Sequence, residues 1–144
     1  MSQASPAAFS VSRQNISLAG AQQVMAAAQA EARLGGWNIS VAVVDLAGQL
    51  VAFARDDAAI GISPEVAIGK ARTAALLQIP SKDFEDFINA GQPSFLATPG
   101  ATPLEGGVPL RIGAEIVGAI GISGAHGPND SKVAEAGAAA LHQF

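Results

Sequence analysis

The sequence has no cysteine and no tyrosine, one tryptophan, and two histidines, His126 and His142. Without cysteine, disulfides, thiolate metal sites and cysteine nucleophiles are excluded together. No His-x-His, H-E-x-x-H or clustered Asp/Glu loop is present, so no metal constellation is expected. Charge is scarce as well: 14% of the 144 residues are Asp, Glu, Lys or Arg, with a formal balance of −4. The eight Lys and Arg are scattered, so the clustered positive footprint of a nucleic-acid binder is missing. No apolar run approaches the roughly 18 residues of a membrane span. Residues 1–15 also lack the basic segment and apolar stretch of a secretion signal. A cytoplasmic protein with neither nucleic-acid nor membrane partners is the expectation.

Hydrophobic residues make up 49% of the chain, much of it alanine. So apolar a chain with so little charge has to cover its surface, which predicts a homo-oligomer. The length suits one domain: residues 1–16 read as a flexible arm and 17–144 as the folded unit. Ser17 is placed to cap a helix over 18–34, with Ala21, Val24, Met25, Ala28 and Ala32 as its apolar stripe and Gly35-Gly36 as its stop. "ISVAVVD" (39–45) and "QLVAFARD" (49–56) flank a turn containing Gly48 and read as a β-hairpin. The first of these strands is apolar on both faces and is expected to be central.

Ser63-Pro64 reads as the cap and first residue of a second helix that ends before Pro80. Its wheel has no evident solvent face, so burial on more than one side is expected. Ser81 is placed to cap a short helix through Asn89, with Phe84, Phe87 and Ile88 inward. Residues 91–105 form a long loop, of a length often tied to function. Residues 108–112 and 116–123 make a second hairpin, in which Pro109 favours an edge strand or a strand start. The last helix begins near Asn129 or Asp130, with Val133, Ala134, Gly137, Ala140, Leu141 and Phe144 on one side. This order gives an α+β class with an antiparallel sheet. Gly118 and Gly121 fall on opposite faces of their strand, and each admits either close backbone packing or a ligand-facing shelf.

Three segments carry a family resemblance: "VAVVDLAGQLVAFARDDAA" (41–59), "AIGKARTAA" (67–75), and "GGVPLRIGAEIVGAIGISG" (106–124) followed by Asp130 and "VAEAG" (133–137). Together they resemble the GlcG/HbpS family, which also supplies the C-terminal domain of PduO-type proteins. The resemblance implies a profilin-like three-layer α/β/α fold around a five-stranded antiparallel sheet, assembled into symmetric oligomers. It implies association of some members with haem or other tetrapyrroles, and of many with catabolic genes. Members that hold haem through a histidine in the N-terminal part of the domain have no counterpart here, because the first histidine is His126.

The residues leave two chemistries open, neither requiring a cofactor. One is a small-molecule-binding oligomer whose pocket is bounded by the glycine-rich hairpin and the long loop, for a tetrapyrrole or another flat ligand. The other is a cofactor-free isomerase, lyase or hydrolase acting on a small carboxylate. Haem needs an axial ligand; with no Cys or Tyr the candidates are His126, His142, Met1 and Met25. Met25 reads as core filler, His142 falls away from the core stripe, and His126 lies in a strand-to-helix turn. Lys70 and Arg72 are charges in an otherwise apolar helix and are expected to be paired or bound to a ligand. They point to nearly opposite sides. With Arg55 they are candidate ligand-binding cations, alongside Gly106, Gly107 and Ser123. Glu105, beside the flexible glycine pair, and His126 are the candidate proton-transfer groups. Asp45 reads as support for its turn.

Overall fold

A computed structural model describes residues 6–144. Of the expected arm, residues 1–5 lie outside the described residues. Pro6–Phe9 form a 3-10 turn, and the chain then runs without regular structure to Ser17.

Helix α1 (Leu18–Gly35) starts where the sequence places it: Ser17 Oγ accepts from Gly20 N at 3.0 Å, and Gly36 closes the helix at φ +71°. Strands β1 (Ser40–Val44) and β2 (Leu50–Arg55) form the first hairpin. Asp45 builds its turn, with Oδ1 accepting from Ala47 N and Gln49 N. Helix α2 (Ser63–Leu77) and helix α3 (Ser81–Asn89) follow; a 3-10 turn (Pro93–Ala97) interrupts the long loop before strand β3 (Gly107–Ile112). Strand β4 (Glu115–Ser123) and helix α4 (Gly127–Ala139) complete the order.

Several local expectations are corrected. Neither Ser63 nor Ser81 caps its helix: each is the first helical residue with its side chain turned inward. Ser63 Oγ pairs with Ser40 Oγ at 2.9 Å, and Ser81 Oγ donates to Leu104 O at 2.7 Å while accepting from Gly107 N at 2.8 Å. Buried hydroxyls are held where their hydrogen bonds are satisfied, and here tertiary partners outcompete the helix end. Phe87 is exposed, tilted against Phe95, while Phe84 fills the inward position. Helix α4 begins at Gly127, earlier than Asn129 or Asp130, because Pro128 suits a first-turn position. Phe144 lies beyond it and is exposed.

The sheet is antiparallel, with four strands among the described residues in the order β2-β1-β4-β3, one fewer than the resemblance implies. The segment that continues the line of β1 is too short to be a strand. Ile16 N donates to Val117 O at 2.8 Å, but Ser17 at once starts α1. The central position of β1 holds: all five of its residues are buried.

The three layers follow from a sorting of side chains by size. Val41 and Val43 of β1, with their partners Ile122 and Ile120 of β4, face α1 and α4 and build the larger core cluster. The alternate positions Ser40, Ala42 and Val44 pair with Ser123, Gly121 and Ala119 and face α2. With small residues on that face, α2 sits almost on the backbone of the sheet. A Cβ on Gly121 would lie 2.1 Å from Ala67 O and 2.5 Å from Ala71 N, and one on Gly107 would lie 2.1 Å from Lys70 O. Close packing therefore accounts for both glycines. It also explains why α2 has no plainly solvated face: Ala67, Lys70, Ala71, Thr73, Ala74 and Ala75 are all buried.

Candidate functional site

A lysine forced against a sheet by its neighbours cannot reach water. Lys70 follows Ala67 on the buried side of α2 and is only 3% exposed. A buried ammonium requires partners. Lys70 Nζ donates to Asp130 Oδ2 at 2.8 Å and to Ile122 O at 2.9 Å. Asp130, equally buried, sits in the first turn of α4, where its Oδ1 also accepts from Ala125 N at 2.8 Å. This arrangement couples α2, the end of β4 and the start of α4.

The same bonds fix the turn between β4 and α4. His126 precedes α4 with φ +71° and ψ 153°, a conformation that costs a non-glycine residue roughly 1–3 kcal/mol. Asp130 N donates to His126 O at 2.7 Å and helps to hold it there. The imidazole is exposed. In the first turn of α4, the N–H groups of Gly127 and Asn129 precede the intrahelical ladder, and Pro128 between them has no N–H.

Around this turn lies a cavity of about 300 Å³. Its polar lining is Lys70, Ser123, Asp130, Glu85, Glu105 and His126; its apolar walls are Ile60, Ile62, Val66 and Leu104. Glu105 reaches across from the loop before β3, and its Oε2 accepts from Ser131 Oγ at 2.5 Å. Ser123, 7% exposed, ends β4 on the α2 side of the sheet. Larger clefts of about 490 and 420 Å³ flank Arg111, but their polar lining residues are all exposed; one of about 440 Å³ beside Trp37 includes the half-buried Asp56, whose carboxylate is already engaged by Ile39 N. The 300 Å³ cavity has a buried polar floor beneath an apolar rim, the arrangement that orients small ligands.

The structure thus brings together four of the sequence candidates: Lys70, Glu105, Ser123 and His126. Gly106 and Gly107 lie just behind them, where a Cβ on Gly106 would approach Lys70 Nζ to 2.9 Å. Arg72 is elsewhere, donating to Gly48 O at 2.7 Å across the first hairpin turn. Arg55 is exposed at the end of β2, with no ion pair to another described residue, and its neighbour Asp56 accepts from Ile39 N at 2.7 Å. His142 lies on the Arg111 side of the molecule. Sequence reasoning assigned no role to Asp130 or Glu85. The signal for Asp130 was present, since a lysine inside an apolar helix demands a carboxylate, but its address sixty residues away was not.

The family model for haem degrading protein HbpS-like matches residues 16–139. Protein GlcG of Escherichia coli strain K12 is 42% identical over 103 residues, covering 72% of this chain and 77% of GlcG. A double mutant of Streptomyces reticuli HbpS superposes with a TM-score of 0.87 at 32% identity, over 98% of this chain and 97% of that one. A complex of PduOC with haem has a TM-score of 0.80 at 24% identity, covering 88% and 95%. This chain belongs to the HbpS-like family.

Proposed function

From that membership, we propose that the chain is an oligomeric small-molecule-binding protein whose ligand enters the cavity between α2 and the start of α4. The observation that carries this reading is the convergence of Lys70, Glu105, Ser123 and His126 on one cavity with a buried polar floor. Assembly is supported by the exposed apolar side chains of Phe9, Val11, Leu34, Ile60, Ile62 and Leu96, more than a lightly charged monomer readily keeps in water.

PduOC is described with haem, and the family description names haem degradation. The residues of this cavity fit haem poorly. The one candidate axial ligand here is His126, exposed at the cavity rather than enclosed by it. Glu85 and Glu105 in the lining would meet the propionates with like charge. A compact organic molecule with one or two polar groups suits the donor set better.

Native mass spectrometry and an absorption spectrum of gently purified protein test the reading. A retained small molecule that is lost from Val66→Phe, which fills the cavity, supports it. A Soret band in place of such a molecule, or retention unaffected by Val66→Phe, overturns it.

A second reading, a cofactor-free isomerase, lyase or hydrolase, is favoured by Glu105 and His126 lining the same cavity as Lys70. A carboxylate substrate held by Arg55 and Arg72 is not supported, because neither lines this cavity.

A further inference from the structure

We propose that this cavity moves a proton at the carbon next to the carbonyl of a small uncharged hydroxycarbonyl compound, with Glu105 as the base and Lys70 and Ser123 as the oxygen-holding donors. The proposal rests on the binding reading above and adds a reaction and a substrate class to it.

The charge of the lining sets the class. Lys70 stands against three carboxylates, Glu85, Glu105 and Asp130, and its own charge is matched by Asp130 at 2.8 Å. An anionic ligand would meet uncompensated like charge behind apolar walls, where screening is weak. A neutral molecule with hydroxyl and carbonyl groups avoids that cost and can use both the donors and the acceptors present.

The donors are specific. An ammonium has three N–H groups, and Lys70 commits two of them, to Asp130 and to Ile122 O. The third has no acceptor among the described residues, and Lys70 lines the cavity. Ser123 Oγ, in a residue only 7% exposed, has no hydrogen-bond partner among the described residues. By contrast, the buried hydroxyls of Ser40, Ser63, Thr73 and Ser81 on the same side of the sheet are all engaged. Among the described residues no buried side-chain oxygen lacks a partner, so the Ser123 hydroxyl opens onto the cavity; with the spare N–H of Lys70 it offers donors to a single ligand oxygen, and such prearranged donors act where negative charge develops. Glu105 supplies the opposite function: its Oε2 accepts from Ser131, and its Oε1 has no hydrogen-bond partner among the described residues.

The step balances without oxidant, reductant or cofactor. Glu105 takes the proton from the α-carbon, and the C–H electron pair becomes the new C=C bond. The carbonyl π pair moves onto oxygen, where the Lys70 and Ser123 donors hold the enolate. Glu105 then returns the proton to the same carbon, which gives exchange or inversion. When the adjacent hydroxyl passes its proton to the enolate oxygen, that hydroxyl oxygen becomes the new carbonyl as the C=C pair takes the proton of Glu105 at the former carbonyl carbon, and the carbonyl is relocated with no net gain or loss of protons.

Proton NMR in D2O with hydroxyacetone and acetoin as probes tests the proposal, with binding of each probe followed by saturation transfer. Wild-type protein is expected to exchange the α-proton faster than buffer. Glu105→Gln is expected to lower the exchange rate about 100-fold while still binding the probe. Ser123→Ala, which removes one atom and leaves the Lys70–Asp130 pair in place, is expected to cost a similar factor of about 100 with an unchanged melt. Probes that bind without exchanging overturn the proton transfer and leave the binding reading standing; probes that neither bind nor exchange count against both. Undiminished exchange in Glu105→Gln, or tighter binding of lactate than of hydroxyacetone, also overturns the proposal.

Discussion

Lys70 Nζ and Asp130 Oδ2, sixty residues apart in sequence, lie 2.8 Å apart with both side chains only 4% exposed. The pair links the helix that lies on the sheet to the helix that follows its last strand, and it holds the floor of the cavity.

Lys70→Met strands Asp130 as a buried, unpaired charge, and unfolding in urea is expected to show a loss of roughly 3–5 kcal/mol. The double replacement Lys70→Met with Asp130→Leu is expected to recover most of that loss, because no charge is then left uncompensated. A double variant no more stable than the single one would contradict the pairing.

Arg72→Met removes the donor to Gly48 O. A charged hydrogen bond of this kind is worth roughly 1.5–3 kcal/mol, toward the low end here because the bond is only part-buried. Retention of the small-molecule ligand is expected to be unchanged, since Arg72 does not line the cavity. Chemical denaturation and ligand retention on the same preparation separate the two effects.

Gly121→Ala places a methyl group 2.1 Å from Ala67 O, and only a shift of α2 can relieve the clash. The expected loss is roughly 1–3 kcal/mol or more. Gly61→Ala, where a Cβ meets nothing within 4 Å, is the control and is expected to stay within about 0.5 kcal/mol of wild type. Thermal melts of the two variants side by side check the difference.

Light scattering at micromolar concentration is expected to show a homo-oligomer. A monodisperse species at the chain mass of 14.4 kDa would remove that expectation. Ile60→Asp combined with Ile62→Asp is the companion variant and is expected to weaken assembly, because it places charge on an exposed apolar edge.

Titration with hemin is expected to give no stoichiometric low-spin complex. A complex that forms and is lost in His126→Ala would assign the axial ligand to that residue. One that survives both His126→Ala and His142→Ala would place the ligand outside the two histidines of the chain.

Much of the fold was legible in the sequence because it rests on local chemistry. The Ser17 cap, the Gly36 stop, the Asp45 turn and the continuous apolar run of β1 each involve residues a few positions apart, and local geometry fixes how they are used. Ser63 and Ser81 were misread for the complementary reason. Each has the local signature of a cap, yet its hydroxyl found a buried partner from another element, Ser40 for one and Gly107 for the other.

The candidate site divides along the same line. The sequence by itself determined that Lys70 and Arg72 needed partners and pointed apart, because charge in an apolar helix and helical geometry are both local facts. It also placed Glu105, His126 and Ser123 at the ends of elements, where side chains are free to meet a ligand. Only the tertiary structure decided that Lys70 joins those three while Arg72 caps a hairpin turn and Arg55 faces outward. The deciding contacts are the approach of α2 to Gly107 and Gly121 and the reach of Lys70 to Asp130. Such long-range pairings depend on how whole elements pack, and no spacing along the chain encodes them.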